Sequence, residues 1–237
     1  VRSSCFSGDG TMLGTACDDM RVRIFDAETG EDRMSVRLRD WVLGVRFSPD
    51  STLVAAAMRD KCVRIYDIES ENEVVKLDHN DSVHFASFRP DGLQLCTAAG
   101  APRFDGVSKV FDVESGDAVN SFKHDDVVTT AHFNSDGQWL VTSSRDRFMR
   151  VYDVRGNLEV MRFEHPNWVS AATLSPDGSL ICSACEDGHA RVFDTKSKRE
   201  LRSLRHIDPV MFAAFNSNGS QLCTAAKDGS VRVFRTT

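Results

Sequence analysis

Two cysteines at metal-ligand spacing are the first residues in this sequence that suggest chemistry. Cys182-Ser183-Ala184-Cys185 has the spacing of half a zinc site. The segment lies in a predicted β-strand, however, and residues three apart on a strand point to opposite faces of the sheet, so the two sulfur atoms cannot share one ion. We therefore predict no metal site and no cofactor, and we interpret these cysteines as small buried apolar residues.

An acidic residue and an aromatic residue recur along the whole chain, six positions apart. A basic residue stands two positions before each aromatic, and six such cations could form a ring that binds phosphate. Because the basic residue occurs mid-strand in every repeat, we predict instead that its aliphatic stem packs on apolar neighbours. The acidic residues are Asp19, Asp60, Asp105, Asp146, Asp187 and Asp228, and the basic residues are Arg23, Arg64, Lys109, Arg150, Arg191 and Arg232.

The residues between each Asp and its aromatic alternate between apolar and polar, which is the period of a β-strand. Val63-Arg64-Ile65-Tyr66 is one example. Two strand-like runs precede this one, separated by a turn such as Arg89-Pro90-Asp91-Gly92, and a fourth run follows it, as in 159–163. Each repeat of about forty-one residues is therefore predicted to be a four-stranded antiparallel meander.

A single meander cannot bury both of its faces, whereas six meanders arranged radially cover one another. We predict an all-β fold, a six-bladed β-propeller in one domain, 1–237, whose last blade lacks its outermost strand. The alternative is that the six blades belong to a seven-bladed ring. The repeats span roughly 1–38, 39–77, 78–122, 123–163, 164–204 and 205–237.

This pattern resembles that of the WD-repeat family over the entire chain. Repeats of that family carry a His before the first strand, a Ser or Thr in the second, an Asp in the turn after it, and Trp-Asp closing the third. Here Phe or Tyr replaces the Trp throughout. The resemblance assigns the His position to His79, His124, His165 and His206, and the hydroxyl position to Thr15, Thr97, Thr142, Ser183 and Thr224.

A His, an Asp and a hydroxyl residue have the composition of a nucleophilic triad. A catalytic set is needed only once, whereas this one appears in several repeats, so we interpret it as a structural network and predict no enzymatic activity. Phe lacks the indole N–H that would donate to the hydroxyl, so we expect a hydrogen bond between Asp and His, with the hydroxyl bonded elsewhere. The second repeat has Leu38 and Ala56 at these positions, and we expect packing to hold it.

Departures from repeat symmetry are not demanded by the fold and therefore indicate function. Two repeats carry a Trp three residues after the His position, on the face that WD-repeat propellers usually present to ligands. Basic residues flank the turn Asp in several repeats, and the third repeat has an insertion at the same edge. The predicted protein-binding rim consists of Trp41, Arg59, Arg103, Phe104, Arg145, Arg147 and Trp168. Such Trp residues would anchor an interface; the alternative is that they cap the core of their blades.

The composition restricts the classes of partner and location. A net charge of −6 disfavours a chain that binds nucleic acid mainly through its phosphates. The longest fully apolar run, 53–58, is far shorter than the roughly 20 residues that span a bilayer, so we predict no membrane span. Seven cysteines are an odd number and fit a reducing compartment. We therefore expect an intracellular protein, cytoplasmic or nuclear.

These observations predict a non-catalytic scaffold, a subunit of a larger multiprotein assembly, whose partners are other proteins or peptide segments. Two alternatives stay open. Tyr152-Asp153-Val154-Arg155 resembles an element of propellers that serve as substrate receptors of cullin-type ubiquitin ligases. The other alternative is an RNA-associated propeller, which the acidic balance disfavours.

Overall fold

The computed structural model describes residues 1–101 and 106–236, and these residues form strands, turns and loops without a helix. The predicted all-β class is confirmed. Within the described ranges there is accordingly no helical segment that could cross a membrane. The chain divides into two compact units, Val1–Lys123 and His124–Thr237.

The first unit contains three antiparallel sheets of four strands each. Sheet 1 consists of β1 (Ser3–Phe6), β2 (Met12–Ala16), β3 (Arg21–Asp26) and β4 (Asp32–Arg37). Sheet 2 consists of β5 (Val42–Phe47), β6 (Leu53–Met58), β7 (Cys62–Asp67) and β8 (Glu73–Asp78). Sheet 3 consists of β9 (Val83–Phe88), β10 (Gln94–Ala99), β11 (Gly106–Asp112) and β12 (Ala118–His124), whose last residue falls in the second unit.

The second unit contains two sheets of four strands and one of three. Sheet 4 consists of β13 (Val128–Phe133), β14 (Trp139–Ser144), β15 (Phe148–Asp153) and β16 (Leu158–Glu164). Sheet 5 consists of β17 (Val169–Leu174), β18 (Leu180–Cys185), β19 (His189–Asp194) and β20 (Glu200–Arg205). Sheet 6 consists of β21 (Val210–Phe215), β22 (Gln221–Ala226) and β23 (Val231–Arg235). The six meanders agree with six propeller blades, the last of three strands.

The ladder between the third and fourth strands has the same irregularity in four sheets. The register shifts by one residue beside the aromatic, so that Tyr66 pairs with Glu73 while Ile65 pairs with Val75. The same shift occurs in sheets 1, 4 and 5. An extra residue at this point bends the strand and increases its twist. The repeats thus share the register that places an acidic residue opposite the aromatic.

Apolar side chains fill the space between neighbouring sheets within each unit. In the first unit β5 contacts β1 and β2, and in the second β17 contacts β13 and β14. Leu38 and Ala56 are both buried in the cluster formed by sheets 1 and 2. The positions that carry His and a hydroxyl elsewhere are thus apolar and buried here, and that packing mainly holds the second repeat stays a prediction.

Candidate functional site

In the first unit the predicted rim forms a compact pair between Trp41 and Arg59. The two residues lie at adjacent strand ends, where the Arg59 N–H donates to the Trp41 carbonyl at 3.1 Å. The Arg59 guanidinium then lies 4.5 Å from the centre of the Trp41 ring. Arg2 approaches the same ring at 5.8 Å and also bonds both carboxylate oxygens of Asp18. Trp41 is half-buried, and both cations lie close enough to its ring for cation–π attraction.

In the second unit the corresponding pair joins two sheets. Trp168 precedes β17 of sheet 5, whereas Arg145 follows β14 of sheet 4, and its guanidinium lies 4.9 Å from the Trp168 ring centre. Trp168 remains 41% exposed. The pair lines a cavity of about 110 Å³, together with Glu186 and Met211 among others. The indole thus keeps a large accessible surface beside a cation, an acid and an exposed thioether.

The same local hydrogen bond fixes the backbone at both tryptophans. Asp40 and Asn167 each accept a hydrogen bond at 2.8 Å from the N–H of the Trp that follows. These short side-chain bonds fix the chain where it enters the first strand of the sheet. The turn thus fixes the backbone from which each indole projects.

In the part of the chain that the structure describes, the guanidinium groups of the two pairs are not neutralised by acidic side chains. Among residues 1–101 and 106–236, no carboxylate lies within ion-pair distance of Arg59 or Arg145. Arg147 is exposed in the adjoining turn with a φ of 75° and belongs to neither pair. Arg103, Phe104 and Asp105 of the predicted site lie outside the described residues. That the two pairs bind protein stays a prediction.

The turn Asp has a partner that the sequence analysis missed. In four repeats it forms an ion pair with the basic residue four positions later, whose role was predicted to be stem packing. The pairs are Asp19–Arg23 at 2.6 Å, Asp60–Arg64 at 3.6 Å, Asp146–Arg150 at 2.7 Å and Asp187–Arg191 at 2.6 Å. The signal was present in the sequence, since an acid and a base recur at this spacing in every repeat. The turn brings them together because it folds the Asp back beside the third residue of the next strand.

The expected hydrogen bond between Asp and His is wrong for sheet 5. The Nδ1 of His165 lies 3.2 Å from the Phe163 carbonyl, and its Nε2 lies 2.7 Å from the Ser183 hydroxyl. A carbonyl only accepts, so Nδ1 carries the proton and Nε2 accepts from Ser183. Asp187 is instead occupied by Arg191 and by the N–H of His189. The hydroxyl, which has no indole partner here, bonds the His directly.

Sheets 4 and 6 repeat the His–hydroxyl contact. His124 Nε2 lies 2.9 Å from Thr142 Oγ1, and His206 Nε2 lies 2.9 Å from Thr224 Oγ1. Sheet 3 differs, because Thr97 bonds the backbone of Lys109 and His79 has no hydrogen-bond partner among the described residues. His79 is nevertheless buried, with its ring edge-on to Phe111 at 5.2 Å. The His ring thus lies edge-on to the aromatic in sheets 3 to 6, and among the described residues its hydrogen bond to the hydroxyl occurs in sheets 4, 5 and 6.

Burial keeps these histidines neutral and makes stability depend on pH. Desolvation lowers the pKa of His165 from its ordinary 6.5 to about 4 and that of His79 to about 3. Between pH 6.5 and 4 the unfolded chain binds protons that the folded chain does not, so the free energy of unfolding falls as the pH falls through this window. Above pH 6.5 this stabilisation is fully present.

We expect His165→Leu to flatten this dependence. The wild-type free energy of unfolding should fall by on the order of 3 kcal/mol from this residue alone between pH 6.5 and 4, and the variant should lose that part of the slope. Urea unfolding at a series of pH values, followed by circular dichroism, measures both slopes. Parallel curves for the two proteins would contradict the assignment of His165 as a neutral buried group.

The fold buries the thiols of Cys182 and Cys185 and keeps them protonated. Cys182 and Cys185 are fully buried in β18, as predicted. The Cys185 thiol donates to the Asn167 carbonyl at 3.4 Å. Burial raises the pKa of the Cys182 thiol and raises that of Cys185 to about 11, so both stay protonated at neutral pH.

The Tyr152–Arg155 element is a turn that other repeats share. Asp153 accepts hydrogen bonds from the N–H groups of Arg155 and Gly156, at 2.9 and 3.0 Å. Asp26 and Asp112 accept equivalent bonds in their own turns. The Asp of this element is therefore explained by the turn, and Arg155 is an exposed residue beside it.

Comparison with known proteins identifies the repeats. The family model described as "WD domain, G-beta repeat" matches residues 1–26, 35–67, 116–153, 158–194 and 198–235. These five segments cover well over half of the chain and leave out most of sheet 3. No curated protein matches the sequence.

Proposed function

The chain belongs to the WD-repeat family, and we therefore propose that it is a non-catalytic subunit of a larger multiprotein assembly, in which its rim binds segments of other proteins. WD repeats indicate a protein-interaction scaffold in general, and WD-repeat proteins are generally not catalytic. The geometry of the Arg–Trp pairs supports the rim as the binding surface.

The observation that supports this proposal is the exposed indole of Trp168 beside the guanidinium of Arg145, which has no ion-pair partner among the residues that the structure describes. Tryptophan and arginine are the residues that most often dominate the binding energy of protein interfaces. Here the indole offers a large apolar face, while the cation retains donors for a carboxylate or a carbonyl of the partner. Trp41 and Arg59 form a similar pair in the first unit, with an indole that is half-buried rather than exposed.

The test is binding by variants of the Arg–Trp pairs. We expect Trp168→Ala to weaken the binding of proteins that co-purify with the wild type by about thirtyfold or more, the effect of losing an interface anchor worth about 2 kcal/mol. Affinity purification with quantitative mass spectrometry identifies these partners, and titration with the purified partner then measures the affinity.

A matched control is Leu158→Ala, which removes an exposed apolar side chain at the start of β16. This variant should bind as the wild type does. The proposal is wrong if Trp168→Ala, Trp41→Ala and the control all retain wild-type affinity for every partner. Retention of the thermal unfolding midpoint separates a lost contact from a lost fold.

We also propose that the protein is intracellular, cytoplasmic or nuclear. The support is its cysteines, since all seven have free thiols, and free thiols persist in reducing compartments.

A further inference from the structure

The fourth strand of sheet 5 carries a concentration of positive charge that the fourth strands of sheets 1 to 4 lack. Segment 196–205, the turn before β20 and β20 itself, contains five basic residues and one acidic residue, a net charge of +4. The corresponding segments have two, one, one and two basic residues and three, four, two and two acidic residues, and thus net charges of −1, −3, −1 and 0. These segments are 28–37, 69–78, 114–123 and 155–164. The positive segment is a departure from repeat symmetry and therefore indicates function.

The five cations are exposed, and we call them the basic surface. Among the residues that the structure describes, no carboxylate lies within ion-pair distance of any of them. Glu200, the one acidic residue of the segment, instead faces Arg191 of β19 at 3.8 Å. The acids that give the chain its net charge of −6 therefore do not compensate this surface. The basic surface consists of Lys196, Lys198, Arg199, Arg202 and Arg205.

Protection of a strand edge does not account for these cations. Charged side chains on an outermost strand discourage association with other strands, and β20 is outermost in sheet 5. The fourth strands of sheets 1 to 4 are outermost as well, however, and their segments have a net charge of zero or below. Clustered like charges repel one another and oppose the compact state. A ligand of opposite charge would remove this repulsion.

An exposed apolar residue lies in the middle of the basic surface. Val192 pairs with Arg202 and Phe193 pairs with Glu200, so Leu201 is the extra residue at the register shift between β19 and β20. Leu201 is 56% exposed. A ligand of this surface thus encounters an apolar contact with cations before and after it along the strand.

The composition of the surface favours a protein ligand over a nucleic acid. Proteins that bind single-stranded nucleic acid stack its bases on aromatic side chains. Segment 196–205 contains no aromatic residue, and the nearest rings on either side, Phe193 and His206, are buried. A protein segment that combines carboxylates with an apolar side chain complements both the cations and Leu201.

We propose that the basic surface binds an extended acidic segment of a partner protein. About six extended residues, at roughly 3.3 Å each, match the length of β20. Carboxylates of the segment contact Arg199 and Arg205 through charge-assisted hydrogen bonds, and an apolar side chain between them packs on Leu201. This surface is separate from the Arg–Trp pairs, and the proposal does not depend on them.

The probe is a fluorescently labelled peptide of eight glutamates with a leucine at its centre, titrated with the full chain and followed by anisotropy. We expect the triple variant Lys196→Gln, Arg199→Gln, Arg205→Gln to bind it about tenfold more weakly, the combined effect of losing three exposed ion pairs. None of these three side chains makes an ion pair among the described residues. The thermal unfolding midpoint should therefore stay that of the wild type.

A matched control distinguishes this surface from the general charge of the protein. The variant Arg37→Gln, Arg39→Gln, Lys123→Gln also removes three exposed cations and should bind the peptide as the wild type does.

The apolar contact has a test of its own. Leu201→Ser should weaken binding of the peptide about fivefold, because it removes part of the buried apolar area. The same substitution should have no effect on a peptide in which serine replaces the central leucine.

Several results would overturn the proposal. Absence of peptide binding at millimolar concentration, or equal effects of the two triple variants, would show that the basic surface does not bind acidic segments. Tighter binding of a nine-nucleotide oligouridylate than of the peptide would assign the surface to nucleic acid. Retention on phosphatidylserine vesicles that is lost in the variant at positions 196, 199 and 205 would assign it to a membrane.

Discussion

Replacing Asp146 with alanine is expected to lower the free energy of unfolding by about 3–5 kcal/mol. The side chains of Asp146 and Arg150 are only 3% and 4% exposed, and they form an ion pair at 2.7 Å. Asp146 also accepts the N–H of Phe148 at 2.9 Å. Its removal leaves the Arg150 cation buried, and the one carboxylate near it among the described residues is then the more distant Glu159, 3.6 Å away.

Asp19→Ala is the matched control for this prediction. Asp19 and Arg23 occupy the same positions of the first repeat and pair at 2.6 Å, but their side chains are 44% and 28% exposed. Water screens an exposed pair, so its loss should cost far less than the loss of the buried pair. Urea unfolding of both variants at neutral pH measures the difference, and equal destabilisation would show that burial does not decide the contribution of this ion pair.

Ser183→Ala is expected to destabilise the protein by about 1–3 kcal/mol, although it removes a single oxygen atom. Ser183 is fully buried, and its hydroxyl is the donor to His165 Nε2 at 2.7 Å. Without it a buried acceptor has no partner, and water cannot readily replace the hydroxyl. His165→Leu should have a cost of similar size, because it leaves the hydroxyl without its acceptor.

The double variant His165→Leu with Ser183→Ala should recover most of this loss, since it recreates the apolar pair that Leu38 and Ala56 form in sheet 2. We expect a coupling free energy of at least about 1 kcal/mol between the two positions. A double variant as unstable as the sum of the single variants would mean that the hydrogen bond is not what links them. Thermal and urea unfolding of the wild type, the two single variants and the double variant measure the four free energies that this double-mutant cycle needs.

The sequence predicted which residues form the candidate site but not which Arg contacts which Trp. The asymmetry of the repeats identified Trp41, Arg59, Arg145 and Trp168. Their geometry depends on contacts that no local pattern contains, because Arg59 covers the Trp of its own sheet whereas Arg145 reaches the Trp of the next. The partner of His165 was missed for a related reason: the loss of the indole frees a hydroxyl, and which group then bonds it depends on distances across the sheet.

The sequence by itself determined the strands, their turns and their order in each sheet, because these follow from a two-residue alternation and from turn residues that are near neighbours in the chain. Only the tertiary structure decided which of the repeated groups are buried. Asp19 and Asp146 belong to the same motif, yet one faces water and the other does not. The physical reason is that burial depends on side chains that neighbouring sheets contribute, and these lie about forty residues away in the sequence.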